Sequence, residues 1–307
     1  MGNTAQALWD TLADEFSAVA EATGKFVVSV HGGHRVGASG IIWRPDLVVT
    51  TSHTLRRTDA LEVSFHDKST ASAKFIGRDA GTDVAVLRLS RPGSSAPDKL
   101  TDSGKLRVGQ LVLSVGRSRM KDLSASAGII ARVGDGWETW RGGRIDSLVR
   151  PDITLYPGLS GSALVNSRGQ LLGMNTAALA RAATITIPSA TIERVVTEIV
   201  EHGGVFRPYL GLAMQPVALP EDQARDLNAG SQAALMVMQV EPGSPSADAG
   251  LLLGDLVLSF NSEPVAGIDD VQQRLRRAKR GDSVEVGYAR AGQHMTAKVK
   301  LAERPGR

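Results

Sequence analysis

Residues 157–166 read PGLSGSALVN: a proline, a serine set among glycines, then a short apolar run. Alone, the string fits two readings, a nucleophilic Ser160 or a polar residue in a tight turn. Its surroundings give it a frame. Short β-rich runs lie upstream, from Phe26 on: KFVVSV, SGIIW, LVVTTSH, LEVSF, AKFIG and DVAVLRL. A turn-rich segment, RPGSSAPDKLTDSG at 91–104, breaks the series, and a second set follows: QLVLSV, SAGIIARV, DSLVRPDITL, SALVN, QLLGMN and ATITIP. Strands this short and closely spaced predict antiparallel barrels or sandwiches rather than βαβ units. Two sets of similar length predict a mostly β fold with two stacked barrels, over 26–93 and 105–188.

Composition narrows the function classes. The 307 residues suffice for two or three domains with real cores, and 42% apolar with 22% charged residues is a globular profile. Net charge is only +3, from 35 basic and 32 acidic residues, so no basic domain points to nucleic acid. The run RLRRAKR at 274–280 reads as a solvated helix face. With no cysteines, disulfides, thiolate chemistry and cysteine metal sites are excluded. The first 25 residues carry Asp10, Asp14 and Glu15 where a signal peptide would be apolar, and no segment is long enough to span a bilayer. The expectation is a cytoplasmic chain as read, or an envelope protein if a leader has been removed.

Leu8, Leu12, Phe16 and Val19 recur at helical spacing and predict a helix over 5–22. Pro188 and Ser189 open a second helix, with Ile192, Val195, Val196, Ile199 and Val200 on one stripe and Gly203-Gly204 as its stop. Residues 203–208 read as an exposed linker. Beyond it, LMVMQV, DLVLSF, SVEVGYA and MTAKVKL, with a helix near 269–279, predict a small α+β domain over 209–303.

A nucleophilic serine needs a base, a carboxylate to orient the base, and donors for the oxyanion. Of six histidines, His53 ends the apolar strand LVVTTSH, where a barrel presents side chains at its mouth. Asp83, in GTDVAVLRL, opens an apolar strand, a poor place for a carboxylate without partners. The order His53, Asp83, Ser160 across two strand sets is one of the orders known for the triad on paired barrels.

At these residues the chain resembles the HtrA (Deg) serine proteases. SGIIWRPDLVVTTSH is similar to the family's approach to its catalytic histidine, and RDAGTDVAVLRL to its aspartate segment. LSVGRSRMKDLSASAGIIARV resembles its interbarrel region, and RPDITLYPGLSGSALVNSRGQLLGMNT its nucleophile segment. The likeness runs over about 26–303. It implies a chymotrypsin-like double barrel within a protease domain at 26–202, followed by a PDZ domain at 209–303; residues 1–25, the helical N-terminal segment, lie outside it. By the same resemblance His53 is the base, Asp83 its orienter, Ser160 the nucleophile, and the N–H groups of Gly158 and Ser160 the oxyanion hole. Thr184, Ile185 and Thr186 would line the specificity pocket and favour small or medium aliphatic residues.

Tyr209, Leu210, Gly211 and Leu212 match the PDZ carboxylate-binding loop, with Val271 and Leu275 on the groove's other wall. The implied partners are unfolded or misfolded proteins, C-terminal peptides and two further copies in a homotrimer. No cofactor or metal is implied. The sequence departs from the family at Tyr156 and Leu159, where asparagines are usual, and at Ser162 and Thr184, where glycines are usual. The loop MNTAALARAA is short. The alternative function is a catalytically silent scaffold or chaperone that keeps the barrels and binds peptides through its PDZ domain.

Overall fold

The computed structural model describes residues 2–32, 37–93, 95–98, 105–118, 122–181, 183–227, 229–275 and 277–303. His34, the interbarrel residues 99–104 and Arg276 of the basic run lie outside them. Contacts divide the chain between Val205 and Phe206 into two compact units.

The first unit opens with α1 (Gly2–Gly24). Only the later part of its apolar stripe is packed: Phe16, Val19 and Ala20 reach the core, whereas Leu8 and Trp9 stay 62% and 69% exposed. Six strands follow: β1 (Val27–His31), β2 (Ala38–Arg44), β3 (Leu47–Thr51), β4 (Leu61–Ser64), β5 (Thr70–Asp79) and β6 (Val84–Leu89). They close into a barrel in the order β1-β2-β3-β6-β5-β4. β3 is buried throughout and only Arg88 of β6 reaches solvent, so these two strands are covered on both faces and their sequences LVVTT and VAVLRL lack a polar alternation.

The second set comprises β7 (Leu111–Arg117), β8 (Leu123–Gly134), the short hairpin β9 (Trp137–Glu138) and β10 (Arg144–Ile145), then β11 (Leu148–Asp152), β12 (Ala163–Asn166), β13 (Leu171–Thr176) and β14 (Ile185–Pro188). All but the hairpin form a second closed barrel, β11-β14-β13-β12-β7-β8. Of the run DSLVRPDITL at 146–155 only Leu148–Asp152 is strand, and within it Pro151 sits at a register shift where the ladder can spare its missing N–H. The fold is mostly β, a double barrel of six strands each among the described residues.

α2 (Ser189–His202) ties the barrels together. Ile192, Val195, Val196 and Ile199 are buried in the core shared by both barrels. Glu193 accepts from Trp43 Nε1 at 2.7 Å and from Arg44 Nη2 at 2.6 Å on the first barrel. Asp146, beside the second, accepts from Thr191 Oγ1 at 2.8 Å. Gly203 ends the helix in the left-handed conformation, φ 77°. Residues 204–208, expected as an exposed link, are half-buried instead. Val205 packs on the first core, and Phe206 packs on the second, with the Arg280 guanidinium 5.3 Å from the centre of its ring.

The second unit contains β15 (Pro208–Tyr209), β16 (Leu212–Ala218), α3 (Glu221–Asp226), β17 (Ala233–Val240), α4 (Pro245–Asp248), β18 (Leu256–Phe260), β19 (Glu263–Pro264), α5 (Ile268–Leu275), β20 (Ser283–Arg290), β21 (Gln293–Lys300) and β22 (Ala302–Glu303). Its main sheet runs β16-β17-β18-β20-β21. Asp255, 1% exposed at the start of β18, is held by Arg290 through two 2.8 Å contacts and by the Leu252 N–H at 2.7 Å.

Candidate active site

Asp83 is 3% exposed and has φ 61°, a backbone state that a non-glycine residue adopts only when its surroundings hold it there. The preceding turn supplies that hold. Asp79 accepts from the Gly81 N–H at 3.0 Å and the Thr82 hydroxyl at 2.8 Å, while Thr139 Oγ1 donates to Gly81 O at 2.8 Å. Asp83 O accepts from Ser52 N at 3.0 Å, and its Oδ1 from His53 N at 2.9 Å. Its Oδ2 lies 2.8 Å from His53 Nδ1 and accepts from Thr176 Oγ1 at 2.6 Å. With a carboxylate as acceptor, the imidazole proton sits on Nδ1 and the lone pair on Nε2. The His53 side chain is one-third exposed, so Nε2 is presented at the surface of a supported pair.

Ser160 stands half-buried on the turn between β11 and β12. Leu159 N donates to Tyr156 O at 3.0 Å and Ser162 N to Leu159 O at 3.0 Å, so two tight turns bracket the serine. Leu159 turns its side chain inward, 4% exposed. The first barrel fastens the turn: Ser39 N donates to Ser160 O at 2.9 Å, and Thr50 Oγ1 donates to Ser39 O at 2.6 Å. Gly161 is indispensable to this closeness. Its φ is +93°, and a Cβ there would lie 1.9 Å from Ser39 O.

The N–H groups of Gly158 (φ 87°) and Ser160 take no internal hydrogen-bond partner among the described residues. Such uncommitted amides on a tight turn can receive developing negative charge. Among the described residues the Ser160 hydroxyl has no hydrogen-bond partner, so His53 and Asp83 are joined while Ser160 is not bonded to Nε2. Thr184 lines a cleft of about 450 Å³ with Leu155, Ile153 and Ala177. Ile185 is 4% exposed and Thr186 fully buried, so of the three pocket candidates only Thr184 faces this cleft. Thr176 and Ser39 escaped the sequence reading. A hydroxyl closing the strand QLLGMNT is the one local trace that Thr176 left.

In the second unit, Leu210 O accepts from Ser246 N at 3.0 Å and Gly211 O from Glu241 N at 2.8 Å. The Tyr209 hydroxyl donates to Glu241. These bonds fix the loop from its carbonyl side. The N–H groups of Leu210 and Gly211 take no internal partner among the described residues. β16 is an edge of the sheet, with α5 packed beside it. Val271 is 2% exposed within the core, whereas Leu275 is half-buried at its border.

Residues 38–174 match the family described as a trypsin-like peptidase domain, and residues 208–301 match the PDZ domain. The chain thus carries a trypsin-like peptidase domain followed by one PDZ domain, and the curated proteins it resembles are serine proteases of the Deg and HtrA type. It is 29% identical over 259 residues to the periplasmic pH-dependent serine endoprotease DegQ of Escherichia coli, covering 83% of this chain and 56% of that protein. It is 30% identical over 284 residues to the serine protease Do-like HtrA of Bacillus subtilis, covering 87% and 63%. The chain thus spans between about half and two-thirds of these relatives' length. Among solved structures, the HtrA-type protease AlgW with a decapeptide superposes with a TM-score of 0.72 at 24% identity, covering 94% of this chain and 99% of that one. The serine endoprotease from Yersinia pestis gives 0.72 at 23% identity, covering 94% and 98%. These two likenesses bear on the fold.

Gly161→Ala tests how the HtrA-type turn is held. Its left-handed φ alone should cost about 1–2 kcal/mol, before the clash with Ser39 O. Urea unfolding should show the loss, and a midpoint equal to wild type would contradict the latch.

Proposed function

We propose that the chain is a serine endopeptidase that cleaves unfolded or misfolded proteins in protein quality control. The observation that carries this reading is His53, whose Nδ1 is bound to a buried, fully partnered carboxylate while Nε2 remains presented. Ser160 Oγ attacks the scissile carbonyl carbon as its proton passes to His53 Nε2. The Gly158 and Ser160 amides receive the oxyanion, and Asp83 stabilises the imidazolium. Collapse of the tetrahedral adduct breaks the C–N bond, and His53 returns the proton to the leaving amine. Water, activated by the same histidine, then hydrolyses the acyl-enzyme. Thr184 narrows a cleft whose lining sets Arg150 next to Asp152, and cleavage follows Ala, Val and similar residues.

The missing Ser160–His53 hydrogen bond is the one observation that favours the silent scaffold. In unliganded sites such bonds are commonly long and tighten only around substrate. Casein hydrolysis separates the readings. Ser160→Ala or His53→Ala should lower turnover by up to roughly a millionfold and Asp83→Asn somewhat less, with double variants little worse than single ones. Wild type that leaves casein intact would establish the scaffold, and dominant cleavage after Arg or Lys would refute the pocket assignment.

The second unit binds C-terminal peptides, their carboxylate on the Leu210 and Gly211 amides and their backbone along the edge of β16. Amidating an apolar-ended peptide should weaken binding by about 1.5–3 kcal/mol, the scale of hydrogen bonds to a charged group. Calorimetric titration giving equal affinities would remove the carboxylate from that loop.

The protein assembles as a homotrimer through its first unit, a reading supported by the exposure of Leu8 and Trp9 on α1. Sedimentation equilibrium should find three chains in wild type and fewer in Trp9→Glu. A monomeric wild type would refute the assembly.

A further inference from the structure

Behind the nucleophile turn lies a second polar group, distinct from His53, Asp83 and Thr176. Ser162 on the turn, Asn175 on β13 and Thr186 on β14 are fully buried, and Ser114 on β7 is 2% exposed. Asn175 Nδ2 donates to Ser114 Oγ at 3.0 Å and to Ser162 Oγ at 3.1 Å, while its Oδ1 accepts from Thr186 Oγ1 at 2.7 Å. The two serine hydroxyls are 3.0 Å apart and bonded to each other. The main chain runs the same way, with Gly161 N donating to Asn175 O and Asn175 N to Ser162 O, both at 2.9 Å.

Every polar function of the Asn175 amide is therefore engaged, and each engagement fixes a different strand or turn. In a dry interior a member that loses its partner keeps its desolvation cost, so the group stands or falls as a set. Its position gives it a task. Thr186 is two residues beyond Thr184, which lines the cleft, and Ser162 is two residues beyond Ser160. The circuit is the side-chain link between the strand that borders the cleft and the turn that carries the serine. A glycine at 162 would have no hydroxyl to contribute.

We propose that Ser162, Asn175 and Thr186 are positioning residues that hold the Ser160 turn in register with β14. The circuit touches neither substrate nor reacting atoms, and its effect on turnover rests on the serine endopeptidase reading. Its effect on the turn does not.

The test uses the full chain with Thr186→Val, which keeps the shape and deletes the hydroxyl, Thr186→Ser, which keeps the hydroxyl, and Ser162→Ala. Hydrogen–deuterium exchange of the segment 157–166 should quicken about tenfold in Thr186→Val and Ser162→Ala, the effect of losing one net hydrogen bond. Exchange across β3 should stay as in wild type, and Thr186→Ser should recover most of the protection. For peptide hydrolysis, the same two variants should lose about tenfold in kcat with KM moved less than twofold, again recovered by Thr186→Ser. Unchanged exchange at 157–166 in Thr186→Val would overturn the proposal. So would a loss that Thr186→Ser fails to recover, or quickening that extends equally to β3. If wild type hydrolyses nothing, the endopeptidase reading fails, and the exchange comparison still decides the circuit.

Discussion

Asp83 is a carboxylate taken almost wholly out of water, and such a group is tolerated only when its lone pairs are filled. They are filled from both barrels. The first gives the His53 backbone and imidazole N–H groups, and the second gives the Thr176 hydroxyl. One buried anion therefore joins the two barrels at His53. The strained φ of Asp83 is stable because the Asp79 turn and Thr139 leave the chain no easier path.

The turn that carries Ser160 is held by the same logic on its own side. Ser39 bonds the Ser160 carbonyl from the first barrel, the buried Leu159 anchors the loop from beneath, and Asn175 gathers Ser162, Ser114 and Thr186 behind it. Two of these anchors, Leu159 and Ser162, are positions where the sequence departs from the pattern it otherwise resembles. In this fold the departures fill interior space with contacts of their own and leave the outward amides of Gly158 and Ser160 uncommitted.

Much of the fold was legible in the residues. Runs such as LVVTTSH and DVAVLRL carried the strands, and the order of His53, Asp83 and Ser160 marked the candidate site. Thr176 was not legible, because its partner lies 93 residues earlier and nothing in a local pattern marks a contact across barrels. Asn175 was hidden for the same reason, its partners spread over β7, β12's approach and β14. The hairpin β9–β10 lacks the length to show alternation, and its role, clamping Gly81 through Thr139, is tertiary. The apolar stripe of α1 was read correctly as helix, yet its period could not tell that Leu8 would face solvent while Phe16 is packed.

The central claim is that Ser160 is activated by the supported histidine. Intact-protein mass spectrometry after brief exposure to a fluorophosphonate, followed by peptide mapping, tests it most directly. The account predicts one adduct per chain, on Ser160, and its near-complete loss in His53→Ala. An adduct on another serine, or equal labelling of Ser160 without His53, would contradict it.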